Sequence, residues 1–230
     1  MTAGLVTTIL ISYLLGAIPT SIWIGKALQG VDIRMHGSGN AGATNTFRIL
    51  GWKAGSLVAL IDLVKGFTAA FFVSWLGFAI AGYPDLLFGA EAFTLFQLIA
   101  GTIAVLGHMY PVYVRFNGGK GVITAAGMLF AIEPISISLT LIVFLAVMFS
   151  TRYVSVGSIT GAIVYPLFLI ILQTQFDMEI ANSLLFFTIA IGLIIIFRHR
   201  SNIKRLIEGN ENRIRSFKPS KGRINEEQVT

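Results

Sequence analysis

Residues 182–197 read NSLLFFTIAIGLIIIF, and Arg198-His199-Arg200 follow at once. A run of this length approaches the roughly 20 apolar residues that a bilayer-spanning helix needs. The basic cluster behind it marks where such a helix leaves the lipid on the inner side. Working outward, similar runs appear at 5–25, 55–80, 92–112, 122–132, 135–150 and 155–174. Hydrophobic residues form 55% of the 230-residue chain and charged residues 12%. A soluble domain carries about 25% charged residues. Polar groups this scarce cannot cover a water-facing surface, so lipid is the expected solvent. The first run is too polar at its end to read as a cleaved signal peptide.

The basic residues set a topology. Lys26, Arg34, Arg48 and Lys53 lie in 26–53, Arg115 and Lys120 in 113–121, Arg152 in 151–154, and nine more from Arg198 onward. The intervening connections carry Asp85 and Glu91, then Glu133, then Asp177 and Glu179. Lysine and arginine mark cytoplasmic loops. The pattern predicts an all-α integral membrane protein with seven transmembrane helices, N-terminus outside and C-terminus cytoplasmic. Glu133-Pro134 splits 122–150, because proline lacks a donor and clashes with the preceding turn. The first half is then about 16 Å long; either its helix starts earlier or protein shields it. Residues 1–215 read as a single membrane domain and 216–230 as a basic cytoplasmic tail. The net charge of +6 resides in these loops, which argues against a nucleic-acid partner. Cysteine is absent, which excludes disulfides, thiolate metal sites and a cysteine nucleophile.

Three segments on the expected inner face carry chemistry. The first is Gly37-Ser38-Gly39-Asn40-Ala41-Gly42-Ala43-Thr44-Asn45, followed by Arg48. Glycines let backbone N–H groups approach an anion and form nests. The hydroxyls and amides add neutral donors, and Arg48 adds a planar fork for phosphate oxygens. The second is Gly107-His108 through Pro111 to Gly118-Gly119-Lys120-Gly121-Val122. Here glycines precede a helix start, where free N–H groups favour phosphate, and the spacing is not that of a Walker A loop. The third begins the tail and holds His199, Asn202, Arg205 and Glu211. Asp62 and Lys65 are three apart in a span, so they share a helix face and read as an internal ion pair. No histidine is followed four residues on by aspartate, no Gly-x-Ser-x-Gly elbow occurs, and no cluster has zinc-ligand spacing.

On these residues, with Asp62-Leu63-Val64-Lys65-Gly66, the chain resembles the acyl-phosphate-dependent glycerol-3-phosphate acyltransferases of bacterial membranes. The resemblance covers about residues 10–215. It implies seven spans, a cytoplasmic active site in the inner membrane, and acyl transfer from acyl phosphate to the sn-1 hydroxyl of glycerol 3-phosphate. Lysophosphatidic acid and inorganic phosphate are the implied products, with no cofactor, no metal and a functional monomer in membrane lipid. On this basis Ser38, Gly39, Asn40, Gly42, Thr44, Asn45 and Arg48 are expected at the acyl phosphate. Gly118, Gly119, Lys120, Gly121, Ser155, His199 and Asn202 are expected at glycerol 3-phosphate. Ser38, Lys120 and His108 are the catalytic candidates, and Asp62, Lys65, Arg205 and Glu211 are expected to be structural. The base stays open between His108 and the substrate's own phosphate. A transporter of phosphate or a phosphorylated solute is the alternative, although transporters place their sites near the midplane.

Overall fold

The computed structural model describes residues 1–82 and 91–214. The Asp85 connection and the tail expected over 216–230 lie outside the described residues. Helix α1 (Thr2–Gly16) breaks before Pro19 and continues as α2 (Thr20–Gln29), which ends at Gly30 in the left-handed region, φ 69°. A short helix, α3 (Ala43–Leu50), follows the first loop. Helix α4 (Trp52–Thr68) passes through one π-helical turn (Ala69–Val73) into α5 (Ser74–Ile80), so Trp52–Ile80 is one apolar run. Then come α6 (Glu91–Met109), α7 (Val122–Ile132), α8 (Pro134–Thr151), α9 (Val154–Gln175), α10 (Asn182–Arg198) and α11 (Arg200–Ile207).

The bundle corrects the expected seven spans. Among the described residues five helices are long and apolar enough to cross a membrane, or six if α10 and α11, bent by 54°, count as one. Helix α7 fails on length. Its 11 residues reach about 16 Å, against a hydrocarbon core of about 30 Å. The inference that the termini lie on opposite sides rested on an odd count and loses its premise.

Local chemistry sets both ends of α7. Gly121, at φ 82°, opens it. At the other end the Glu133 carboxylate caps α8, accepting from Ile135 N–H at 3.0 Å and Ser136 N–H at 2.7 Å, with Pro134 as the first helical residue. An N-cap acceptor followed by proline is the expected start of a new helix, so the break at Glu133-Pro134 forms as anticipated.

Protein shields α7 instead of lipid. Gly66 of α4 lies against the Thr124 carbonyl, and Gly127 of α7 lies against the Leu63 carbonyl, so close that a Cβ at either site would collide with backbone. Two helices approach like this only through residues without side chains, the usual interface device in membranes. Thr124, Ala125, Gly127, Met128 and Leu129 are buried there. The main apolar core gathers Leu98, Met128, Leu169 and Leu184 from α6, α7, α9 and α10.

Candidate active site

The three sequence segments meet at one end of the bundle, and a fourth, the α8–α9 turn, joins them. The first loop starts with Asp32, which caps a 3-10 turn (Ile33–Met35) by accepting from Arg34 N–H at 3.0 Å and pairing with the Arg34 guanidinium at 2.7 Å. Arg34 also donates to the Val114 and Asn117 carbonyls at 3.1 and 3.3 Å, tying the first loop to the second. Asn45 is almost fully buried, and its polar atoms are spent inside the loop. Its Nδ2 donates to the Ile33 and His36 carbonyls, each at 2.9 Å, and its Oδ1 accepts from Ser38 N–H at 2.9 Å. Gly37 and Gly39 adopt left-handed φ of 62° and 71°, conformations that glycine takes without strain. Arg48 projects from α3 and donates to the Asn212 carbonyl at 3.1 Å, while its Nε is buried with no partner among the described residues. Burial lowers its pKa from the ordinary value, opposed by Glu211.

In the second loop Gly118 N–H and Gly119 N–H donate back to the Met109 and His108 carbonyls at 3.2 and 3.1 Å. Gly118 packs so tightly on the His108 carbonyl and Pro111 that no side chain fits there. This turn throws Lys120 toward the tail, where Nζ donates to Asn202 Oδ1. Burial pushes the Lys120 ammonium down to about 8; Glu211 opposes this, and Arg205, Arg48 and Arg198 add to it.

Glu211 gathers the remaining parts. One carboxylate oxygen accepts from Ser155 Oγ at 2.9 Å and Asn202 Nδ2 at 2.6 Å, and the other accepts from Arg205 Nε at 2.8 Å. Burial alone raises its carboxyl pKa, but the hydrogen bonds from Asn202, Arg205 and Ser155 outweigh it and hold the value below the usual range. His199, at the α10–α11 bend, meets the Ile195 carbonyl at 2.8 Å through Nδ1. A carbonyl only accepts, so Nδ1 carries the proton and, in the neutral ring, Nε2 is an acceptor with no partner among the described residues. The strap 208–214 closes over the α8–α9 turn, where Ile214 N–H donates to the Arg152 carbonyl at 2.9 Å.

Below this mouth a cavity of about 550 Å³ runs into the bundle, within the roughly 300–1,000 Å³ of small-molecule sites. Ser38, Asn40, Gly42, Thr44, Asn45, Arg48, Lys120, Gly121, Ser155, His199 and Asn202 line its polar end. Leu63, Leu129, Phe130, Phe144 and Ile191 line its apolar depth, with Tyr165 lower on α9. Gly118 and Gly119 instead line a small adjoining pocket with Thr20, Asp62, His108 and Pro111. Asp62 and Lys65 form the pair that their spacing dictates, at 2.8 Å, with Thr20 Oγ1 donating to Asp62 at 3.0 Å. Among the described residues no group of three or more His, Asp or Glu side chains converges as a metal site.

A profile of the family described as glycerol-3-phosphate acyltransferase matches residues 6–209. The chain belongs to the glycerol-3-phosphate acyltransferase family. It is similar to the glycerol-3-phosphate acyltransferase of Salinibacter ruber (strain DSM 13855 / M31), 49% identical over 223 residues, covering 96% of this chain and 97% of the relative. The counterpart of Chlorobaculum tepidum (strain ATCC 49652 / DSM 12025 / NBRC 103806 / TLS) is 46% identical, with 90% and 94% covered. Two crystal structures of PlsY (YgiH), an integral membrane glycerol 3-phosphate acyltransferase, share its fold at 41% identity, covering 91% of this chain and 95% of theirs. The glycerol 3-phosphate form has TM-score 0.77 and the lysophosphatidic acid form 0.75. The chain is thus a multi-pass membrane acyltransferase.

Sequence reading missed two contributors of this family site. Arg198 Nη2 donates to the Gly119 carbonyl at 2.8 Å, and its guanidinium lies 5.2 Å from the centre of the Tyr110 ring. As one cation in a basic cluster it carried only a topological meaning. Arg34 clamps two loops, and its only local signal is Asp32 two residues earlier.

Proposed function

We propose that this acyltransferase moves a fatty acyl group from acyl phosphate to the sn-1 hydroxyl of glycerol 3-phosphate, releasing inorganic phosphate and 1-acyl-glycerol 3-phosphate. The observation that carries this is the joining of an anion-binding mouth to an apolar cavity within one chain. Ser38, Gly39, Asn40, Gly42, Thr44 and Arg48 hold the acyl-phosphate head, with Asn45 keeping their loop in shape. The acyl chain lies in the cavity below. Gly118, Gly119, Gly121 and Lys120 hold glycerol 3-phosphate together with Ser155, His199 and Asn202. Glu211 and Arg205 hold Ser155 and Asn202 in place. A single copy supplies every one of these groups, which supports a functional monomer. The mouth faces the cytoplasm, since basic residues concentrate at that end of the bundle.

Acyl phosphate is already an activated anhydride, so the work is positioning two anions and stabilising the developing oxyanion. The glycerol oxygen bonds to the acyl carbon, the bond from that carbon to the phosphate oxygen breaks, and phosphate departs. The hydroxyl proton passes to a phosphate oxygen of the reactants, whose second pKa is about 6. Clustering at one end, together with the family, leaves the transporter alternative without support. The test is phosphate release from purified protein given palmitoyl phosphate and glycerol 3-phosphate, with acyl-CoA as the competing donor. Release that does not depend on glycerol 3-phosphate, or an equal rate of acyl transfer from acyl-CoA, refutes the assignment.

A further inference from the structure

The imidazole of His108 faces an ammonium. Lys65 Nζ has three acceptors around it: Asp62 Oδ1 at 2.8 Å, His108 Nδ1 at 2.9 Å and the Ile18 carbonyl at 3.1 Å. A lysine ammonium has three donors and no acceptor. Nδ1 must therefore present its lone pair, and the ring proton of neutral His108 sits on Nε2. In the reverse arrangement a neutral amine accepts from Nδ1–H. The Lys65 charge would then be gone: the buried Asp62 carboxylate would keep only neutral donors, the Thr20 hydroxyl and the amine N–H, with the His108 Nδ1 3.6 Å away, and a buried charge without its counter-charge is costly.

The other ring nitrogen lies beside Gly119. Nε2 has no hydrogen bond to the described residues, and His108 lines both the large cavity and the small pocket beside it. A Cβ at Gly119 would collide with Nε2, so the absence of a side chain there keeps this face of the ring accessible.

We propose that Asp62 and Lys65 are positioning residues that lock His108 as an Nε2–H donor to an oxygen of the acyl donor. In this state His108 cannot act as the proton acceptor. The inference rests on the acyl-phosphate reading of the cavity mouth. During transfer the glycerol oxygen bonds to the acyl carbon, phosphate leaves and the hydroxyl proton goes to a phosphate oxygen. His108 keeps its own proton throughout and stabilises charge building on the carbonyl oxygen.

Nitrogen-15 NMR of the histidine-labelled full chain in micelles tests the lock directly, with the His108 signals identified by their loss in His108→Gln. Near pH 7 and without substrate, Nε2 is expected in the protonated, pyrrole-like range and Nδ1 in the unprotonated range. A protonated Nδ1 overturns the proposal, whatever the acyl donor turns out to be. Phosphate release by the wild type tests the acyl-phosphate reading separately. In kinetics, His108→Gln retains an N–H donor and is expected to keep activity within about tenfold, whereas His108→Leu loses about 100-fold in kcat, the usual effect of deleting an oxyanion donor. Equal loss in both refutes the donor role. Lys65→Met, checked for folding by its melting temperature, is expected to lower kcat with KM for glycerol 3-phosphate within about twofold, and to release the Nδ1 lone pair. An unchanged His108 spectrum in that variant also overturns the proposal, and if the variant does not fold the wild-type spectrum alone decides.

Discussion

Raising the pH should switch off glycerol 3-phosphate capture through Lys120. Its ammonium contacts Asn202, and burial with three nearby arginines pushes it down to about 8. The charged form is the one that grips a phosphate, so capture is complete below that value and lost above it. With a pKa of about 8, roughly nine tenths of the lysine is charged at pH 7 and roughly one tenth at pH 9. Thus kcat/KM for glycerol 3-phosphate should approach a tenfold loss per unit above pH 8, equivalent to about 1.4 kcal/mol each. Arginine side chains as a class do not deprotonate in proteins, and the substrate phosphate, with a second pKa of about 6, is already a dianion. Neither contributes to the descending limb. The assay is initial phosphate release between pH 6.5 and 9.5 at saturating palmitoyl phosphate, corrected for its spontaneous hydrolysis. Lys120→Arg should be slower at pH 7 but lack the limb. A flat wild-type profile to pH 9.5, or a limb that persists in Lys120→Arg, refutes the role given to this lysine.

Other outcomes follow from the same geometry. Arg48→Lys exchanges a planar fork for a point charge and should raise KM for acyl phosphate by about tenfold with little change in melting temperature; an unaltered KM would detach Arg48 from the donor. Gly127→Ala forces a methyl group onto the Leu63 carbonyl and should cost about 1–3 kcal/mol of stability, read as a lowered melting temperature in micelles. Tyr165 lies ten residues below Ser155 on α9, about 15 Å deep at 1.5 Å per residue, and its hydroxyl is buried without a partner among the described residues. Tyr165→Leu should favour longer acyl phosphates, at up to about 0.8 kcal/mol per added methylene enclosed; unchanged chain preference in competition assays would place the chain end elsewhere.

The positions of the long apolar helices were legible because lipid imposes both length and charge exclusion on them. The Asp62–Lys65 pair was legible because helical spacing alone puts the two on one face. The break at Glu133-Pro134 was legible from the chemistry of capping. The number of spans was not. Whether α7 must meet lipid depends on Gly66 and Gly127, which let α4 cover it, and hydropathy carries no information about neighbours. At the site, the convergence of Lys120 with Asn202 was anticipated from the family resemblance, which placed both at one substrate. The spending of Asn45 inside its own loop was not, since an asparagine that builds a turn and one that binds a ligand look alike in sequence. The lone pair of His108 was invisible for the same reason: it is decided by a lysine from another helix.

The strap that carries Glu211 and meets Arg48 through the Asn212 carbonyl has a bearing on biogenesis. Ser38 and Arg48 are made early, whereas the carboxylate that orders Ser155 and Asn202 leaves the ribosome after every long apolar helix described here has been made. Insertion and competence are therefore separate events. A nascent chain halted before residue 211 would already occupy the bilayer yet have nothing to orient its acceptor-binding groups, so partial products would sit in the membrane without acylating anything.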